Sequence, residues 1–419
     1  MPKILASVSA VLFSGFLLLC GNGLLGTLLG IRLSIADVNP HVIGVVMASY
    51  FAGLLIGAYY GDRLIRLVGH IRAFAALASI FSAATLAHGF LFDSALWAIL
   101  RFIEGLSIAG LFMCMESWLN DRAPNALRGR IMSCYMIVIY TGLGIGQFLL
   151  LLRDPEGFAL FALASVILSI ALVPIALTRF PAPEAPNPQP FGLKKLMAIS
   201  PLGVVGALIS GILMGAIYGL GPTYTHAIGM DTEGTVRFMA IVLLGGLILQ
   251  WPVGRLSDFL DRRIVLAITG LAVTATSIVL VLTGERGEYY FLSSSLLFGG
   301  AIYLIYPLSV THANDFIPPE DLVSASGGLL VAYSFGATLG PLLGSIGIDI
   351  WGPKGLFFLT ACASTVMTVF ALIRIVAHRR IPQEHETKFA MVPRTTPMAA
   401  ELDSRGDEET DTPEITPPN

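Results

Sequence analysis

Ser14-Gly15-Phe16-Leu17, followed by Gly23-Leu24-Leu25-Gly26-Thr27, returns 196 residues later as Ser210-Gly211-Ile212-Leu213 and Gly219-Leu220-Gly221-Pro222-Thr223. Further along, three more stretches repeat at an offset of 194. Gly105 matches Gly299, Asn120-Asp121…Pro124 matches Asn314-Asp315…Pro318, and Gly142…Gly146 matches Gly336…Gly340. A period of nearly half the chain, held over a whole half, means one structural plan used twice.

The plan is a membrane one. Of 419 residues, 55% are hydrophobic and 13% charged, about half the usual charge of a soluble domain. Crossing a bilayer as helix takes about 20 mostly apolar residues. Twelve stretches qualify: 7–31, 42–61, 73–92, 96–118, 131–152, 158–178, 202–224, 237–257, 264–283, 290–311, 323–346 and 355–376. Turn chemistry separates many of them, as at Asn39-Pro40, Asp93-Ser94, Asp154-Pro155 and Gly352-Pro353. The first run is longer than the core of a cleaved signal sequence and belongs to the repeat, so it is read as a retained helix. The expected fold is an all-α membrane protein of twelve transmembrane helices. They form two six-helix bundles related by a pseudo-two-fold axis along the membrane normal.

Lys and Arg give the orientation. With both termini cytoplasmic, the inner segments and tail hold 19 of the 25 basic residues. The other six are Arg32, Arg101, Arg153, Arg237, Arg286 and Lys354. The expected organisation is a bundle over 1–180, a proline-rich cytoplasmic linker over 181–201, a second bundle over 202–377 and a tail over 378–419. From 381 to 419 there are nine Asp/Glu and three Lys/Arg, a composition that reads as solvated and disordered. The four cysteines lie in apolar runs without C-x-x-C spacing, and read as small apolar fillers rather than a redox or metal site.

After the eighth span the chain reads Gly254-Arg-Leu-Ser-Asp258-Phe-Leu-Asp261-Arg262-Arg263. This resembles the signature of the major facilitator superfamily, G-x-x-x-D-x-x-G-R-[RK]. The first-half copy, Gly57-Ala-Tyr-Tyr-Gly61-Asp62-Arg63, places the acid one position late and adds Arg66…Gly69-His70…Arg72. With Glu116…Pro124…Arg128-Gly129, that form resembles the YcaD-type subfamily. The resemblance implies alternating access, with a small solute held near the midplane between the halves. Asp62, Arg63, Glu116, Arg128, Asp258, Arg262 and Arg263 are then gating candidates. A carboxylate at a helix C-terminus opposes the dipole and needs compensating arginines, which suits an ionic latch. Fixing topology and capping helices would ask for the same residues.

Ionisable groups within a span cost about 2.5–3.5 kcal/mol each on insertion scales, so they mark partners or wet cavities. At 1.5 Å per residue, Arg101 lies roughly 8 Å and Glu104 roughly 12 Å into the fourth span. They are three apart and share a helix face. Arg101-x-x-Glu104-Gly105 resembles the R-x-x-Q-G signature of proton-coupled members, with Glu in place of Gln. Glu104 is the candidate proton carrier; a structural ion pair is the rival. Arg32 either snorkels to the interface or joins Arg101 around an anion.

By the resemblance, spans one, four, seven and ten line the path. They supply Asn22 and Thr27, Arg101, Tyr218 and Tyr224, and Tyr303 and Tyr306, with Gln147 and Gln250 from spans five and eight. Aromatic walls with few polar groups suit a small amphipathic solute, and the tyrosines also suit packing or interface anchoring. Pro341, within Gly336-x-x-x-Gly340-Pro341-x-x-Gly344, is expected to loosen its helix. No proline accompanies Gly142-x-Gly144-x-Gly146, unlike the span-five pattern of drug–proton antiporters.

No phosphate-binding loop, zinc motif or nucleophile elbow appears in the sequence. No cofactor, metal or nucleic acid is expected; the expected partners are lipid, a small solute and protons, with the chain as a monomer. The reading is a proton-coupled secondary transporter of the bacterial inner membrane. A passive uniporter, a non-transporting sensor and, on the weak pairing of Glu116 with His312, a membrane enzyme are the rivals.

Overall fold

The computed structural model describes residues 2–124, 127–177, 192–283, 287–318, 321–377, 389, 392–397 and 399. Thirteen α-helices run through them: α1 (Pro2–Ile35), α2 (Pro40–Val68), α3 (His70–His88), α4 (Ser94–Arg122), α5 (Arg128–Leu149), α6 (Ala159–Ala176), α7 (Leu193–Ile199), α8 (Pro201–Ala227), α9 (Thr232–Leu256), α10 (Arg262–Thr283), α11 (Glu288–Asn314), α12 (Leu322–Trp351) and α13 (Gly355–Ala377). All but the short α7 are long and apolar enough to cross a membrane, which makes the twelve expected spans. Among the described residues there is no strand. The chain is an integral membrane protein, with side chains such as Phe13, Val45, Ile99 and Val166 exposed on its outer surface. An apolar belt of this kind is the surface a bilayer requires.

Several helices outrun their apolar stretch. α2 continues seven residues past 61, so Asp62, Arg63 and Arg66 are helical rather than in a loop. An Asp62–Arg66 pair one turn apart supports that extension. Helix starts are set by side-chain caps: Asn39 accepts from the His41 N–H with Pro40 in the first turn, and Asp93 and Asp231 accept from Leu96 and Gly234. α2 passes to α3 through the single residue Gly69, at φ 84°, a left-handed turn that glycine adopts without strain. Within the expected linker, α7 occupies 193–199, while 181–191 lie outside the described residues.

The repeat is visible in the packing. α1 packs on α5 and α6, α2 on α4, and α3 on α4 and α6; α8 packs on α12 and α13, α9 on α11, and α10 on α11 and α13. The matched glycines do the same work in each half. Gly105 of α4 leaves no room for a β-carbon against the Tyr50 carbonyl of α2, nor does Gly299 of α11 against the Val242 carbonyl of α9. Such backbone-to-backbone approach is how helices gain contact in lipid, where apolar side chains alone give no preference for protein over solvent.

The halves meet through α1 with α8, α2 with α12 and α8, and α5 with α9. By the repeat, α2–α12 and α5–α9 are equivalent, yet α2–α12 is much the more extensive contact. It closes the end of the molecule opposite the arginine-rich loops, here called the far end. There Gly44 receives Pro341 and Ser345, Gly30 receives Pro222, Ser34 bonds Thr223 at 3.0 Å, and His41 lies 3.4 Å from Asp349. Pro341 thus sits inside an unbroken α12 and packs between helices.

Gly105→Ala and Gly299→Ala are each expected to lower the thermal midpoint in detergent, since overpacking costs typically about 1–3 kcal/mol. Gly26→Ala, where a β-carbon meets nothing within 4 Å, serves as the neutral control.

Candidate functional site

Between the halves lies a cavity of about 170 Å³, small beside the ~300–1,000 Å³ pockets that enclose drug-sized ligands. α1, α2, α4 and α5 supply one wall, α8, α9, α11 and α12 the other. Toward the arginine-rich, or basic, end its floor is made by Val392, Pro393, Arg394 and Thr395.

Seven of the residues expected to line a cavity do so: Asn22, Thr27, Arg101, Gln147, Tyr218, Gln250 and Tyr303. They are tied to each other rather than loose. Thr27 donates to Gln147 at 2.6 Å, and the Gln147 amide donates to the Gly23 carbonyl at 3.1 Å. Across the halves, the Tyr140 hydroxyl donates to Gln250 at 2.6 Å. Tyr218 and Tyr303 share a hydroxyl–hydroxyl bond, and Asn22 hydrogen-bonds Tyr50.

Arg32, Tyr224 and Tyr306 lie outside the lining. Arg32 stands at the far end of α1, donating to the Pro155 carbonyl at 3.3 Å and stacking near Phe92 and Phe161. Arg32 and Arg101 therefore do not form a joint anion site. Tyr224 is packing, with its ring edge-on to Phe357 at 4.7 Å. Tyr306 is buried against Tyr333.

In α4, Arg101 and Glu104 pair at 3.0 Å, as their spacing implies. Arg101 faces the cavity and lies 4.1 Å over the Tyr50 ring; Glu104 points away from it and is fully buried. Behind Glu104 stand two groups that sequence reasoning missed, the buried His88 ring at 3.3 Å and Thr85 at 3.4 Å, both from α3. A lone histidine in an apolar span carries no periodic or motif signal that it faces a carboxylate sixteen residues on, in the next helix.

Glu116, twelve residues further along α4, is also fully buried. Its carboxylate accepts from Tyr135 of α5 at 2.8 Å, from the hydroxyls of Thr395 and Thr396 and from the Ala399 N–H. The expected partner was a loop arginine. Apart from Tyr135, the donors lie within the stretch read as a solvated tail, of which Thr395 and Thr396 are only 6% and 4% exposed. Their neighbours pack too. Arg394 lies over the rings of Tyr303, Tyr306 and Tyr333, and the Phe389 N–H bonds Asp258 at 2.6 Å. The rest of 378–419 lies outside the described residues.

Of the remaining gating candidates, Arg128 opens α5, Asp62 pairs with Arg66, and the others make contacts within their own half. Arg262 bonds Asp315 and lies 3.6 Å from Asp258, Arg263 holds Asp261 at 2.6 Å, and Arg63 stacks on Tyr60. Among the described residues no group of acidic, histidine and cysteine side chains is arranged to hold a metal ion.

Comparison with known proteins agrees with this architecture. A family model described as Major Facilitator Superfamily matches residues 11–249 and 238–400. A protein of Escherichia coli O9:H4 (strain HS), the "Uncharacterized MFS-type transporter YcaD", is 28% identical over 378 residues, covering 90% of this chain and 97% of the relative. Among solved structures, the nucleoside transporter NupG superposes with a TM-score of 0.75 at 13% identity, covering 89% of this chain and 100% of that one. A bacterial homologue of the human lysosomal transporter Spinster gives 0.66 at 14% identity, covering 97% and 98%. At these identities the structural likeness speaks for the fold alone.

Arg101→Met is expected to be strongly destabilising, because breaking a buried pair costs about 3–5 kcal/mol. Adding Glu104→Gln to it is expected to restore most of the loss, since no uncompensated charge remains. Thermal unfolding of the two single variants and the double variant in detergent reads the coupling.

Proposed function

Because the chain belongs to the Major Facilitator Superfamily of membrane transporters, we propose that it moves a small solute by alternating access and couples that movement to protons through Glu104. The observation that carries the coupling is the placement of Glu104. It is fully buried, and its guanidinium partner Arg101 is the residue that faces the cavity. A solute group that engages Arg101 draws it from Glu104. A carboxylate left buried without its cation then binds a proton, because an unpaired charge there is far costlier than a neutral acid. His88 Nδ1, at 2.9 Å from the Ala84 carbonyl and 3.3 Å from Glu104, presents an N–H to both acceptors and so steadies the carboxylate from behind.

The cavity sits between the halves, with helix contacts packed at the far end and residues 392–395 lining it toward the basic end. The balance of basic residues supports a cytoplasmic basic end and cytoplasmic termini, in a bacterial inner membrane. One chain supplies both halves and the cavity between them, which supports a monomeric transport unit. Asp62, Arg63, Asp258, Arg262 and Arg263 then serve the gate at the cytoplasmic face, each pair steadying one half as it rocks.

The test is proton flux in liposomes holding the purified protein and an internal pH-sensitive dye, screened against candidate solutes. Wild type is expected to acidify or alkalinise the lumen with one class of solute. Glu104→Gln, checked for folding by its thermal midpoint, is expected to abolish the proton signal. Solute uptake that ignores an imposed pH gradient would make the protein a passive uniporter and Glu104 a structural partner of Arg101.

A further inference from the structure

Arg394 is held in an unusual way for a buried cation. Its guanidinium carbon lies 4.7 Å from the centre of the Tyr303 ring and 5.9 Å from those of Tyr306 and Tyr333. It donates to the Tyr303 carbonyl at 2.6 Å and to the Tyr333 hydroxyl. Among the described residues no carboxylate lies within ion-pair distance of it. Ring faces attract a cation through their quadrupole, more strongly where water is excluded. The three tyrosines come from the transmembrane helices α11 and α12, so the cage belongs to the bundle and the arginine to the tail.

The charge inventory points the same way. The charged side chains on the cavity wall are Arg101 and Arg394, and Arg101 is already matched by Glu104. Glu116, near the floor, is bonded by four donors, three of which belong to residues 395–399. Lifting residues 392–397 and 399 therefore removes the one positive charge from the cage and strips Glu116 to a single hydroxyl donor. What remains is an aromatic cage with no cation in it, beside the Glu116 carboxyl group. Ring faces attract a cation and repel an anion, and the carboxyl adds to that preference once a cation is present to pair with it.

We infer that the cage of Tyr303, Tyr306 and Tyr333 is the binding site for an organic cation, a guanidinium or alkylammonium group on an apolar body, and that Arg394 of the tail occupies it as a competing internal ligand. The inference rests on the reading of the cavity as the solute site and names the solute class. The tail segment supplies the shape of the missing ligand. Arg394 carries the cationic head, Val392 and Pro393 the apolar body against the cavity, and the two threonine hydroxyls the groups that satisfy Glu116. Removal of the segment also enlarges the cavity at its basic end, where a solute would have to enter or leave.

Equilibrium binding of radiolabelled benzyltrimethylammonium to the purified full-length protein tests this without any transport step. A site filled by its own tail for about nine-tenths of the time binds a competitor about tenfold more weakly. Arg394→Gln, a change on the tail and outside the helices, is accordingly expected to tighten binding about tenfold over wild type. Adding Tyr333→Leu to Arg394→Gln is expected to abolish that gain, and Tyr333→Phe, which keeps the ring face, to retain most of it. Neopentylbenzene, the uncharged carbon isostere, is expected not to compete. Equal or absent cation binding in wild type and Arg394→Gln, or equal competition by the neutral isostere, overturns the inference. Its failure is distinct from failure of the transport reading. Flux of some other solute class with no cation binding ends the inference alone, and cation binding without flux in liposomes ends the transport reading alone.

Discussion

A charge inside this bundle has no water to fall back on, so every one must be answered by another group of the same chain. α4 shows the constraint most sharply. It carries Arg101, Glu104 and Glu116 through the membrane, all with side chains 6% exposed or less. Arg101 and Glu104 answer each other across one helical turn, with His88 and Thr85 of α3 completing the shell. Glu116 has no such neighbour on its own helix. Tyr135 gives it one hydroxyl, and the remaining donors come from nearly 280 residues away in sequence. The need to satisfy one carboxylate thus draws the end of the chain into the core, and with it the residues that shape the floor of the cavity.

How much of this is legible in the sequence depends on the range over which each signal acts. Twelve spans follow from local hydropathy, and the two-fold plan from a repeat readable by eye. The Arg101–Glu104 pair follows from a spacing of three on a helix. Gly105 and Gly299 mark the same helix crossing in each half because only a missing side chain permits it. By contrast, the docking of 392–397 and 399 has no local signature: the surrounding stretch is polar, acidic and rich in proline, and composition alone reads it as solvated. The same limit explains Arg32 and Tyr224. Each sits on a span that faces the cavity, but rotation of a helix about its axis is set by tertiary packing, and one turn separates lining from packing.

The two halves share a backbone plan and differ in chemistry. At the repeat offset, Arg101, Glu104 and Glu116 of α4 correspond to Ser295, Phe298 and Val310 of α11. Conversely, Tyr303, Tyr306 and Tyr333 correspond to Ala109, Phe112 and Ile139. At these positions the charges lie in the first half and the hydroxylated rings in the second. A solute that engages both must therefore present a polar or charged group to one wall and tolerate rings on the other. It is also held to the two moving bodies at once.

Residues 392–397 and 399 meet that description. Thr395, Thr396 and Ala399 grip the first half at Glu116, Arg394 sits on the tyrosines of the second, and Phe389 reaches Asp258 at the basic end of α9. Such a bridge ties the halves together on the side where helix contacts are sparse, while α2 and α12 close the other. A segment bound this way stabilises the conformation in which it fits, and rocking the halves requires its contacts with at least one of them to break. The energetic cost of that release falls on Glu116, which loses most of its donors. A ligand able to replace them, or a proton, lowers that cost, so the same carboxylate that anchors the tail also sets the condition for its departure.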